Sequence, residues 1–396
     1  MIERNQYLDW LIKYQKNDLI KVISGVRRSG KSTIFSLFKE YLLSQGILES
    51  NIISINFEDL RYYELRDFMK LYSYLVDQVN PQEQFYIFLD EIQLVSRYEE
   101  VVNSLNLLPN TDIYITGSNA YFMSGELATL LTGRYIELKI LPLSYKEYAS
   151  LYPNLTLERI YDQYKLTSFP YLADKHDPNI INTYIRSAYN DIAMKDIIER
   201  YKITEQNLLE RVLRFMVSAV GSEISLNKIT NTLKTHGVSI SNNTLERYVD
   251  AFVNGLILYQ VPRYDIKGRK LLQRFEKYYV VDLGFRNLLL PDRVEDEGHI
   301  LENIVYFELL RRYCAVYIGK HDSYEVDFIC LDDRQNPTYF QVALETLSED
   351  TLKRELRSLQ TIKDHHPKFL LTLDSINREG NYDGVIKRYV LDWLLE

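Results

Sequence analysis

The chain has 396 residues, 46% of them hydrophobic and 26% charged, with a net charge of −8. That length and apolar content allow two or three cores, whereas no apolar run approaches the ~18 residues needed to cross a bilayer and no signal-like block opens the chain, so a cytoplasmic protein without a membrane partner is expected. Two cysteines and six histidines without ligand spacing exclude a disulfide framework and a structural zinc site, and the acidic balance disfavours wholesale coating of nucleic acid.

Leu19 to Ile23 reads as an apolar strand, and Ile34, Phe35, Leu37, Phe38 and Leu42 follow at helical spacing until Gly46. Between them lies Gly25-Val26-Arg27-Arg28-Ser29-Gly30-Lys31-Ser32-Thr33, a G-x-x-x-x-G-K-S loop. The glycines let successive backbone N–H groups face phosphate oxygens, Lys31 reaches the β/γ oxygens, and the Ser32 hydroxyl binds Mg²⁺ at the helix N-terminus. ATP and Mg²⁺ are the cofactors this loop calls for.

Ile52 to Phe57 is a second strand. Phe85 to Leu89 is a third, continuously apolar, and it ends in Asp90 and Glu91, as a buried parallel strand does where it meets a ligand edge. Asp90 is expected in the Mg²⁺ shell and Glu91 as the group that polarises the attacking water. The strand Asp112 to Thr116 runs into Gly117-Ser118-Asn119. Ser118 and Asn119 are candidates to sense the γ-phosphate or orient the water, and a plain polar turn accounts for them equally well. Arg134 opens the strand-like run Tyr135 to Leu141. It is a candidate arginine finger, in cis or from a neighbouring copy, or else a surface arginine paired with an acid. Strands alternating with helices make residues 1–151 an α/β domain with a parallel sheet.

Residues 152–203 read as a helical connector. Within 204–290, helices at Leu208 to Val220, Ser225 to Thr235 and Ser241 to Asn254 precede strands Leu256 to Pro262 and Leu271 to Val281, the layout of a winged helix. From Arg263 to Lys277 there are six basic residues against two acids. Lys267, Arg269 and Lys270 at the turn are therefore candidates for the phosphates of duplex DNA, against a wing that serves protein contacts.

GVRRSGKS, FLDE, ITGSN, LTGRY and LPLSYKEY together resemble the ATPase module of a widespread prokaryotic AAA-type group whose C-terminal half is a separate domain, mostly of unassigned function. The resemblance covers almost the whole chain and implies an additional-strand, RecA-like P-loop core. In residues 291–396 the order helix, three strands, helix, strand resembles the PD-(D/E)XK nuclease superfamily, which implies acids such as Glu302 and Asp327 around Mg²⁺. The third strand, however, reads Gln341-Val342-Ala343, with an amide in the acid position and a methyl group where the superfamily has lysine, so that scaffold is expected to be catalytically empty. The expected function is an ATPase that moves or gates its C-terminal half. A DNA-binding regulator, an ATP-gated nuclease, a nucleotide-stabilised scaffold, an unknown protein client and an oligomer stay open.

Overall fold

The apolar runs of the first 142 residues become one parallel sheet in a computed structural model of the chain. The structure describes residues 2–117, 131, 133–235, 237–291 and 297–396, without the side chains of 193, 194 and 273–275. The chain divides into two compact units, one of Met1–Pro142 with Asn254–Leu256, the other of Leu143–Val253 with Ile257–Glu396.

In the first unit the strands are β1 (Ile20–Ser24), β2 (Ile52–Asn56), β3 (Phe85–Asp90), β4 (Thr111–Thr116) and β5 (Tyr135–Lys139), in the order β2-β3-β4-β1-β5. β4 stands between β1 and β3, as an additional-strand P-loop core requires. Alternation along the strands feeds two cores. Ile87 and Leu89 of β3 join Ile20, Val22 and Leu71 on one face, while Tyr86 and Phe88 join Ile23, Phe35 and Phe38 on the other. Both faces are covered, which is why these strands read as unbroken apolar runs.

In the second unit one sheet runs through both of the C-terminal segments that the sequence reading separates at residue 290. Its strands are β6 (Leu258–Asp265), β7 (Lys270–Val280), β8 (Ala315–His321), β9 (Tyr324–Leu331), β10 (Pro337–Ala343), β11 (Lys368–Thr372), β12 (Gly380–Tyr382) and β13 (Val385–Tyr389), ordered β12-β13-β11-β10-β9-β8-β6-β7. The hairpin read as a wing is joined to the next segment, because β6 pairs in parallel with β8 from Arg263↔Ile318 to Asp265↔Lys320. The register of β6 against β7 slips between Val261 and Arg263, where Pro262 offers no N–H. The helices Gln206–Ser218, Leu226–Thr235 and Asn242–Asn254 precede the hairpin, and an isolated bridge joins Ile224 to Glu276. Residues 143–151 belong to this unit, short of the expected boundary at 151. Leu143 N donates to Ser168 O and Tyr164 Oη donates to Leu143 O, so local hydrogen bonding draws the segment forward in the chain. Among the described residues no helix is long and apolar enough to cross a membrane.

Candidate nucleotide site

The loop after β1 is shaped by two glycines. Gly25 has φ +150°, and a Cβ there would stand 2.2 Å from the carbonyl oxygen of Ile140, so no side chain fits without moving backbone. Gly30 has φ +98° and caps the helix Lys31–Ser44, whose N-terminus faces the loop. Lys31 is buried, and its Nζ donates to the carbonyls of Gly25 (3.1 Å) and Val26 (3.4 Å). Burial lowers the Lys31 pKa from the ordinary lysine value, against the raising pull of Glu91 and Asp90. Ser32 and Thr33 are exposed at the first turn of the helix. The Oγ of Ser29 is buried and has no hydrogen-bond partner among the described residues. Arg27 is ion-paired with Glu58 at 2.9 Å.

Asp90 ends β3 level with the loop, and Glu91 follows it. Register puts Leu89 opposite Ile115 and Ile23 opposite Thr116, so Asp90, Thr116 and Ser24 share the C-terminal edge of the sheet. Thr116 ties the two acids together: its Oγ1 donates to Asp90 Oδ1 and accepts from Glu91 N at 3.1 Å. Asn56 at the tip of β2 donates to Asp90 Oδ2 at 3.1 Å, and Gln93 donates to Glu91 Oε2. Glu91 itself turns the chain with φ +55°, an uncommon conformation for a side-chain-bearing residue. These residues suit Mg-ATP in two respects: Gly25 lets the loop pass against Ile140 O where no Cβ fits, and the lysine beside it is held by neutral carbonyls.

Sequence reasoning missed Arg4, Asn56 and Thr116. Arg4 is buried and donates to Ser29 O and Leu141 O, each at 2.8 Å, which clamps the loop from the N-terminal segment. A polar residue closing the isoleucine-rich end of a strand was the available signal for Asn56 and Thr116. Nothing local marks Arg4, which lies 25 residues from its partner Ser29. Ser118 and Asn119 lie outside the described residues. Arg134 is exposed and precedes Tyr135, which pairs with Ile20 at the start of β1. It therefore sits at the edge opposite the loop, roughly 15 Å away at a strand's ~3.3 Å per residue, which speaks against the in-cis alternative and leaves the neighbouring copy or a plain surface arginine.

The second unit holds a different constellation. Lys277 on β7 is buried, with Nζ 2.7 Å from Glu325 Oε1 and 3.0 Å from Glu302 Oε1. Burial alone would lower the Lys277 pKa, but Glu302, Asp327 and Glu325 overcome it and raise it. Burial, with Glu302 adding to it, pushes the Asp327 carboxyl well above the usual range. Arg263 pairs with Glu223 at 2.7 Å. Two of the six basic residues counted for the wing are thus turned into this network. Lys267 pairs with Asp322 at 3.3 Å and, with Arg269 and Lys270, is exposed at the hairpin turn. Among the described residues no group of three or more His, Cys, Asp or Glu is arranged to hold a metal ion.

Residues 17–149 match the family described as AAA domain, and residues 159–296 match a domain of unknown function (DUF8612). The whole chain is 39% identical to an uncharacterized protein of Haemophilus influenzae, across 99% of that relative. An uncharacterized protein of Methanocaldococcus jannaschii is 30% identical over 90% of this chain and 80% of its own length. Among solved structures, the Walker-type ATPase of Pyrococcus abyssi aligns with 73% of this chain and 96% of its own, at 15% identity and a TM-score of 0.45.

Proposed function

Because the chain belongs to the family of these full-length relatives and opens with an AAA domain, we propose that it binds Mg-ATP in the loop Gly25–Thr33 and hydrolyses it, and that nucleotide state acts on the C-terminal unit. The observation behind this reading is the single edge at which Lys31, Asp90, Glu91 and Thr116 meet. Bound nucleotide supplies the phosphoryl group, and its Mg²⁺ supplies charge compensation. Lys31 exchanges two neutral carbonyls for phosphate oxygens. Ser32 and Asp90 offer the oxygens suited to Mg²⁺, and Glu91 takes the proton of the attacking water. Thr116 and Asn56 hold the acids in place. Ser118 and Asn119 remain proposed sensors of the γ-phosphate, and Arg134 is proposed to act only on the nucleotide of a neighbouring copy. The deciding measurement is steady-state ATP turnover with and without duplex DNA. Turnover above background that is lost in Glu91→Gln supports the reading, and none under either condition leaves a nucleotide-stabilised scaffold.

A second reading is favoured by the exposure of Lys267, Arg269 and Lys270 at one turn. The order of three helices, bridge and hairpin supports reading residues 204–290 as a winged helix whose tip touches DNA phosphates. Each of the three replaced by alanine should then weaken binding alike on all duplexes and lower the salt slope by about 0.9. The element order of residues 297–389 supports a nuclease-like scaffold without activity. Plasmid incubated with the protein and Mg²⁺ or Mn²⁺ should stay supercoiled, since Gln341 and Ala343 bring neither carboxylate nor amine.

A further inference from the structure

The carboxyl ends of β10, β11 and β13 open on a cleft of about 740 Å³ that the nucleotide reading does not use. These three strands run parallel, with Ala343 level with Thr372 and Thr372 level with Tyr389. The crevice beyond such ends is where open α/β sheets receive ligands, and the volume is that of a small-molecule site. Its whole lining belongs to the second unit. Val342, Leu344, Leu373 and Leu391 make part of that lining aliphatic. The helix Leu157–Tyr164 contributes Glu158, Tyr161 and Asp162, which share one face at i, i+3 and i+4.

Two observations point to a ligand and to its charge. Five carboxylates, those of Glu158, Asp162, Glu297, Glu345 and Glu355, line the cleft against two cations, Lys165 and Arg354. Arg378 adds a third cation 3.2 Å from Glu158, and two negative charges remain in surplus. Lys165 is held between Asp162 (3.1 Å) and Glu297 (3.2 Å), and Arg354 by Glu355 (2.9 Å). Glu345 is exposed and has no ion-pair partner among the described residues. The second observation is Tyr161, which lines the cleft, is only 5% exposed, and has an Oη without a hydrogen-bond partner among the described residues. A buried hydroxyl left in that state is destabilising. Burial, with Glu297 and Asp162 adding to it, raises the Tyr161 pKa, so the phenol stays neutral beside two acids of the lining.

We propose that this cleft binds an alkyl-ammonium group. The surplus carboxylates, Glu345 first among them, take its charge, the Tyr161 oxygen accepts one of its N–H bonds, and the aliphatic lining covers its methylene stem. A phosphate-bearing ligand does not suit the cleft, since the excess of acids repels it. Free polyamines and the lysine side chains of a protein both carry the required group. The proposal is independent of ATP hydrolysis.

The test is calorimetric titration of the full-length, nucleotide-free chain at physiological salt with two probes, spermidine and N-acetyl-lysine methylamide. At least one should bind saturably. Tighter binding of spermidine assigns the group to a free polyamine, and binding of the lysine derivative at least as tight assigns it to a protein side chain. Tyr161→Phe removes only an unpartnered hydroxyl, so it should unfold no lower than the wild type and bind the probe about five-fold more weakly. Glu345→Lys, at an exposed position, should weaken binding roughly ten-fold or more. Glu49→Lys reverses an equally exposed acid of the first unit and should leave binding unchanged. Three results overturn the proposal: no saturable binding of either probe, wild-type binding in either cleft variant, or an equal loss in Glu49→Lys, which would mark a response to net charge alone.

Discussion

Both units bury lysines, and Lys31 of the first and Lys277 of the second are prepared for opposite ends. Lys31 donates to two backbone carbonyls, which carry no net charge, and burial lowers its pKa. Lys277 donates to two carboxylates, which raise its pKa against the same burial. An ammonium among neutral dipoles gains by meeting a polyanion. One already between carboxylates has little left to gain from another anion. The same side chain is thus held by neutral dipoles in one unit and by carboxylates as a counter-ion in the other.

Removing the first lysine is the strongest way to break this comparison. Lys31→Ala should abolish micromolar ATP binding in calorimetry, because backbone N–H groups alone do not neutralise the phosphates. Unchanged affinity would make Lys31 as inward-looking as Lys277. Next in size, Glu91→Gln should keep ATP affinity within a few-fold and lower turnover by roughly 10². Thr116→Val removes the hydroxyl that joins Asp90 to Glu91, and should lower turnover by about ten-fold at constant affinity. Equal losses of affinity and turnover in these two variants would show that the acids serve binding.

A smaller effect separates the loop from its support. Arg4→Met gives up two charge-assisted bonds to buried carbonyls, so the first unit should lose roughly 2–3 kcal/mol in denaturant unfolding. A stability equal to the wild type would place the clamp outside the loop's energetics. The smallest effect sharpens the comparison by pH. If the Lys31 ammonium meets the phosphates as proposed, affinity should fall as pH rises through its pKa, which burial lowers from the ordinary lysine value. Lys31→Arg does not titrate in this range and should flatten the alkaline limb. A limb unchanged by that substitution would mean another group titrates there.

Much of the nucleotide site was legible because its residues are consecutive or end a strand. Gly25 to Thr33 is one turn, and Asp90-Glu91 follows an apolar run. The alternatives for Arg134 could not be narrowed in the sequence for the same reason in reverse: it opens a strand, and only the parallel register of β5 against β1 shows that the opening end lies away from the loop. The wing count misled, since Arg263 and Lys277 look alike in sequence to Lys267 and Lys270 yet are held by Glu223, Glu302 and Glu325.

By itself the sequence determined the parallel α/β core, the glycines that the loop's turn requires, and the acids at the strand tip, because each follows from a local pattern of period, turn geometry or burial. Tertiary structure alone decided that Thr116 joins the two acids and that Arg4 clamps the loop. It also decided that β6 extends the sheet begun by β8 and that Lys277 meets carboxylates from a helix and a strand. Those contacts join residues far apart in the chain, and pairing across such distances is set by strand order and register, which no single segment encodes.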